Sequence, residues 1–210
     1  MIERLASQLG RRDEVPNIEL AEYLCERKDA AGIQEIVKGY IGSDRAIAND
    51  CIKVLYEIGE RNPTLVSQYA DKFVAHLRSK NNRLAWGSMT ALAKIAEINP
   101  QPIFENLPIV VAAFETGSVI TVDNSISVFA ELCKASNGYA ETVLPIILGH
   151  LQECRPKEVP QHAERASVCF NSNNACAFIE VLEERLPYLA TTGQKRVTKL
   201  LRTLHDLQED

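Results

Sequence analysis

The chain has 210 residues, 46% of them apolar and 24% charged, so it carries enough material for a substantial core and falls outside the disordered class. Its 28 acidic residues against 23 basic ones give a net charge of −5, which disfavours a broad nucleic-acid footprint, because such a footprint calls for a surface excess of positive charge. No apolar run approaches the roughly 20 residues that span a bilayer, so no membrane partner is expected.

The chain starts Met1-Ile2-Glu3-Arg4-Leu5, amphipathic and acidic rather than charged-then-apolar, and we expect a cytoplasmic protein without a leader. A helix is expected near 2–9, with Ile2, Leu5, Ala6 and Leu9 on one face. Helices near 17–28 and 30–41 follow, and residues 1–43 read as N-terminal capping helices. The six cysteines (25, 51, 133, 154, 169 and 176) include no CxxC, and a chain of this size does not depend on disulfide staples, so reduced, mostly buried thiols are expected.

From residue 44 onward the punctuation repeats. Asn62-Pro63 and Asn99-Pro100 stand 37 residues apart, and Asn137-Gly138 follows 38 further on. A period of that size marks stacked supersecondary units, none of which can bury its apolar face alone. Aligned on the terminal Asn, Cys51, Ser88 and Ile126 share one column, Leu55, Leu92 and Ala130 a second, and Ile58, Ile95 and Cys133 a third. Within each unit these lie at i, i+4 and i+7, the inward stripe of an amphipathic helix. Ser88 is therefore expected in the core.

The intervening segments repeat as well: Ala70, Leu107 and Leu144 match, then Phe73, Val110 and Ile147, then Leu77, Phe114 and Leu151. Each unit is thus a pair of helices. The expected helices run near 44–61, 64–79, 82–98, 101–115, 121–136, 139–153, 159–170, 174–189 and 193–207, with loops at 155–160 and 171–174. Pro63 and Pro100 suit a first helical turn, Gly138 suits a left-handed C-terminal cap, and Leu107-Pro108, Leu144-Pro145 and Leu186-Pro187 suggest bent first helices. Residues 1–210 read as one domain, closed by a C-terminal capping helix at 191–210.

The period near 40, the proline-bearing first helix and second helices such as Leu84-Ala85-Trp86-Gly87-Ser88-Met89-Thr90-Ala91-Leu92 resemble the HEAT repeats of the armadillo-like superfamily over most of the chain. The resemblance implies an all-α, right-handed α-α superhelix of about six helix pairs that serves as a binding surface or scaffold. Many HEAT repeats carry Arg where this chain has Ala48, Ala85 and Asp123, so a regular Asp-Arg ladder between repeats is not expected.

Chemistry-bearing motifs are missing from the sequence. There is no Gly-x-Ser-x-Gly elbow and no Gly-rich phosphate loop. His162, Glu164, Cys169 and Cys176 echo a zinc deaminase, but there is no Pro-Cys-x-x-Cys and no sheet to support such a site, so no metal, catalytic residue or cofactor is assigned. The candidate binding row lies one column over from the core: Asn49, Trp86 and Asn124, with Lys53, Thr90 and Lys94 one turn along. Exposed aromatics flanked by polar groups anchor partners, whereas a lone Trp also fills gaps between helices. Lys195, Arg196, Lys199 and Arg202 form a candidate basic patch on the last helix, although the plainer reading, and the favoured one, is the polar face of a capping helix.

The expected function is a non-enzymatic scaffold or adaptor that binds a protein or peptide on its concave surface. The alternative is a nucleic-acid-binding protein resembling the HEAT-like alkylpurine DNA glycosylases, for which Trp86, Arg165 and the basic patch supply raw materials but the net charge has the wrong sign.

Overall fold

The structure is a computed structural model and describes residues 1–209. Twelve α-helices and no strand occur among the described residues: α1 (Val15–Arg27), α2 (Ala30–Tyr40), α3 (Arg45–Arg61), α4 (Ala70–His76), α5 (Asn82–Ile95), α6 (Pro100–Glu105), α7 (Leu107–Thr116), α8 (Val119–Ala135), α9 (Asn137–Glu153), α10 (Val159–Ala166), α11 (Ala175–Arg185) and α12 (Thr191–Glu209). The chain packs as two compact units, Met1–Ser125 and Ile126 onward, and the division falls inside α8.

In the first unit α3 is the hub, packed against α1, α2 and α5, while α4 covers α5. The expected columns are its core: Cys51, Leu55 and Ile58 on α3 and Ser88, Leu92 and Ile95 on α5 are fully buried. Asp44 and Asn81 start these two helices by accepting from the free N–H groups of Ala46 and Ile47 and of Arg83 respectively. Gly87 allows the close approach of α5 to α3, because a Cβ there would lie 2.7 Å from Ile52 Cγ1.

The second unit packs α9 against α10 and α11, and α12 against α10 and α11. Its core holds Val143, Ile147 and Leu151 of α9, Phe178 and Leu182 of α11, and Val197, Leu201 and Leu204 of α12. Phe170 stacks flat on Phe178 at 3.9 Å between centroids.

Four expectations about the elements need correction. The segment near 2–9 forms only a 3-10 turn at Ile2–Arg4, followed by irregular turns: Leu5 and Ala6 are buried while Leu9 is 54% exposed, a pattern without a continuous helical stripe. Residues 64–79 begin as two 3-10 turns, Pro63–Leu65 and Ser67–Tyr69, before α4 starts at Ala70. The expected helix at 101–115 is two helices divided at Asn106. Pro108 lacks an N–H and its ring would crowd a continuing turn, so it sits in the first turn of α7, where no N–H is needed. Gly138 is not a left-handed cap: it lies in the first turn of α9 and donates its N–H to the N-cap hydroxyl of Ser136 at 3.2 Å. The left-handed cap belongs instead to Lys28, after α1, with φ of 48°. Pro145 does lie inside α9, and Pro187 falls in a 3-10 turn.

Candidate binding face

The residues of the sequence row all lie in the first unit, on α3, α5 and the start of α8. Asn49, Trp86, Thr90, Lys94 and Asn124 are half-buried, and Lys53 is buried at 7% exposure. Helical spacing on α5 places Trp86, Thr90 and Lys94 on one stripe, each four residues from the next. Thr90 joins two repeats: its hydroxyl donates to the Trp86 carbonyl at 2.9 Å and accepts from Asn124 Nδ2 at 3.1 Å. Asn49 is held by two groups from the start of the α5 segment, its Oδ1 accepting from Asn81 Nδ2 at 2.7 Å and its carbonyl from Arg83 Nε at 3.4 Å.

Trp86 stands between two partners. The Tyr56 ring lies 5.9 Å away and tilted, and the Arg83 guanidinium lies 5.7 Å from the indole centroid. The cation over the ring and the polar rim leave one side of the indole at the surface, an amphipathic setting suited to contact.

Lys53 departs from the sequence reading, which set it on the surface beside Thr90. Its Nζ is 2.7 Å from Glu57 Oε1 and 3.1 Å from Glu14 Oε2, and it lies over the Tyr56 ring. Burial alone would lower its pKa, but Glu57, Tyr56 and Glu14 outweigh that and raise it, so the ammonium stays charged. Glu14 also binds Arg83, and Arg61 binds both Glu57 and Glu22. Lys94 pairs with Glu60. The face is therefore a network of compensated charge around a single indole. Sequence reasoning missed Glu14, Tyr56, Glu57 and Arg83. The Lys53, Glu57, Arg61 series at i, i+4 was a visible signal for Glu57, whereas nothing local tied Glu14 to α3.

A polar depression of about 220 Å³ opens beside this network, lined by Arg12, Asp13, Glu14, Asn49, Asp50 and Arg83 among others. In the second unit, Lys195, Lys199 and Arg202 line a shallow surface groove along α12, and Arg196 is engaged by Glu164 at 2.9 Å.

Of the metal-type residues weighed in the sequence, Glu164 is turned to Arg196, Cys169 is buried against Cys133, and Cys176 is exposed. The structure instead gathers His162 with two residues that the sequence reading did not join to it, His150 and Cys154. Burial and the neighbouring His162 hold the His150 imidazole down to about 4, and burial pushes the Cys154 thiol up to about 11. The signal was present in part, since Cys154 follows His150 by four residues, just past the end of a helix that the sequence did predict.

No protein-family profile and no curated protein matches this chain. Solved structures do. An engineered protein is 16% identical, with a TM-score of 0.71, over 98% of this chain and 96% of its own. A designed armadillo repeat protein in complex with peptide (KR)4 is 14% identical, with a TM-score of 0.68, over 97% of this chain and 99% of its own. Computationally designed armadillo repeat proteins for modular peptide recognition are 14% identical, with a TM-score of 0.68, over 96% of this chain and 97% of theirs. The fold is thus the armadillo/HEAT-like helical solenoid. Among the described residues, no helix is long and apolar enough to cross a membrane.

Proposed function

We propose that the protein is a non-enzymatic scaffold that binds an extended peptide or protein segment along the face formed by α3, α5 and the start of α8. The observation that carries this reading is the half-buried Trp86, flanked by the side-chain amides of Asn49 and Asn124 and bordered by Tyr56 and Arg83. An indole supplies a large contact area at small entropic cost, and the amide groups not committed to Asn81, Thr90 and Ile120, Asn49 Nδ2 and Asn124 Oδ1, offer a donor and an acceptor to an extended backbone. The likeness to designed armadillo proteins made for peptide recognition supports the same use of this fold, though function lies in the site and not in the fold. Six cysteines that all stand as free thiols fit the cytoplasmic setting that we read for this chain.

The nucleic-acid alternative is disfavoured on this face. Lys53, Arg61, Arg83 and Lys94 are each engaged by a carboxylate, so few cations remain to displace counterions from a phosphate backbone.

Selection of binders from a displayed random-peptide library, followed by titration of the full chain, tests the proposal. Trp86 is the one tryptophan, so its fluorescence reports on this face directly. A selected peptide should change that emission, and Trp86→Ala, which has no tryptophan and is therefore titrated against a fluorescently labelled peptide by anisotropy, should lower the affinity by roughly 30-fold or more, as at other aromatic anchors. Binders indifferent to Trp86→Ala, or binding of DNA that vanishes with added salt, would remove this face from the account.

A further inference from the structure

Two neighbouring helices of the second unit bring three metal-ligating side chains together. His150 and Cys154 stand one turn apart at the C-terminal end of α9, and His162 projects from α10. One ring nitrogen of each histidine and the thiol sulfur all lie within 4.8 Å of one another. His150 Nε2 and His162 Nδ1 are 2.9 Å apart, with ring centroids at 4.9 Å. At that separation one nitrogen carries the proton and the other accepts it.

A single cation can take the place of that proton, which then sits on the outer nitrogen of its own ring, while the Cys154 thiol releases its proton to solvent to become the thiolate ligand. Tetrahedral zinc, with Zn–N near 2.0–2.1 Å and Zn–S near 2.3 Å, holds two ligand nitrogens about 3.3 Å apart and a nitrogen and a sulfur about 3.6 Å apart. Metal entry therefore asks the two imidazoles to part by about half an ångström and to turn their lone pairs off the common axis, and the thiol to close by up to about 1 Å. We propose that His150, Cys154 and His162 form a binding site for a zinc-class divalent cation.

The donor chemistry selects the ion. Two imidazoles and a thiolate suit zinc and its congeners, whereas magnesium and calcium require oxygen ligands. The ligand-bearing turn is also fixed from outside: Arg185 of α11 donates to the carbonyls of Gln152 and Cys154, the latter at 2.5 Å. Glu158 adds negative charge felt at His150 and Cys154, and it is itself held by Arg155. His162 is 1% exposed, while His150 and Cys154 are half-buried, so the site has a buried floor and an open side. Three protein ligands leave the fourth position of a tetrahedron to water. The bound ion staples α9 to α10.

Cobalt(II) titration of the full-length, reduced and chelator-stripped chain tests the site. One equivalent should give a near-ultraviolet thiolate-to-cobalt charge-transfer band together with visible bands of tetrahedral intensity, and zinc should abolish both. Cys154→Ser should remove the charge-transfer band, Cys176→Ser should leave it unchanged, and His150→Gln should weaken cobalt binding at least about 10-fold. His162→Gln should act likewise; because that side chain is buried, the half-buried His150 variant decides the matter if His162→Gln does not fold. Zinc at 100 times its dissociation constant should raise Tm by roughly 5–10 °C in the wild type and not in Cys154→Ser. No charge-transfer band in the wild type, or one of equal strength in Cys154→Ser, overturns the assignment.

Discussion

The Tyr40 phenol and the Ser88 hydroxyl, both in fully buried residues, are 2.7 Å apart and tie α2 to α5 across 48 residues of sequence. Ser88 in turn donates to the Leu84 carbonyl at 2.5 Å, so it is free to accept from Tyr40. The one polar residue in an otherwise apolar repeat column is thereby satisfied, as a buried hydroxyl must be. Burial raises the Tyr40 pKa further above its ordinary value and keeps the phenol a donor.

Replacing Ser88 by Ala should cost about 1 kcal/mol of stability. The phenol then keeps only the Lys72 carbonyl at 3.3 Å, a longer bond. Urea unfolding of Ser88→Ala, Tyr40→Phe and the double variant checks this: the two single losses should not add, because they report one interaction.

The acid limb of stability should depend on Lys53. Burial raises the pKa of Glu14 and of Glu57, but Lys53, with Arg83 or Arg61, outweighs it, and both carboxyls end below their ordinary value of 4.5. A carboxyl depressed in the folded state binds fewer protons there than in the unfolded chain. Its stabilisation is therefore complete above about pH 4.5 and is lost as pH falls through the folded-state value. Lys53→Met should cost about 1–3 kcal/mol at neutral pH, between the surface and buried limits for ion pairs. It should also flatten the decline of Tm with pH in the acid range, which thermal melts over a pH series will measure.

Gly87 presents two opposed terms. Helix propensity alone would make Gly87→Ala stabilising by about 1 kcal/mol, whereas forcing a methyl into a filled core costs about 1–3 kcal/mol. With Ile52 Cγ1 at 2.7 Å from the added Cβ and Ile52 fully buried, the steric term should win, for a net loss of about 1 kcal/mol. Ile52→Ala in the same chain should relieve part of it, giving a favourable coupling in a double-mutant cycle.

Trp86→Ala separates anchoring from packing. The indole is half-buried, so truncation should cost about 1–2 kcal/mol, less than the 3–5 kcal/mol of a buried aromatic. Circular dichroism melts should accordingly show a folded protein while peptide affinity collapses. A loss of stability as large as a core deletion would identify Trp86 as a gap-filler.

The helices, their period and the buried columns were legible in the sequence because they follow from local periodicity: Cys51, Leu55 and Ile58 recur as Ser88, Leu92 and Ile95, and such spacing allows one inward face. The breaks at Asn106 and before Ala70 were less legible, since a proline is compatible with either a bent helix or a new one, and the choice rests on packing. Only the tertiary structure decided that Lys53 turns inward to Glu14, and that His150 and Cys154 meet His162. Those meetings depend on the rotational phase and depth at which one helix packs on another, and a single helix's periodicity carries neither quantity.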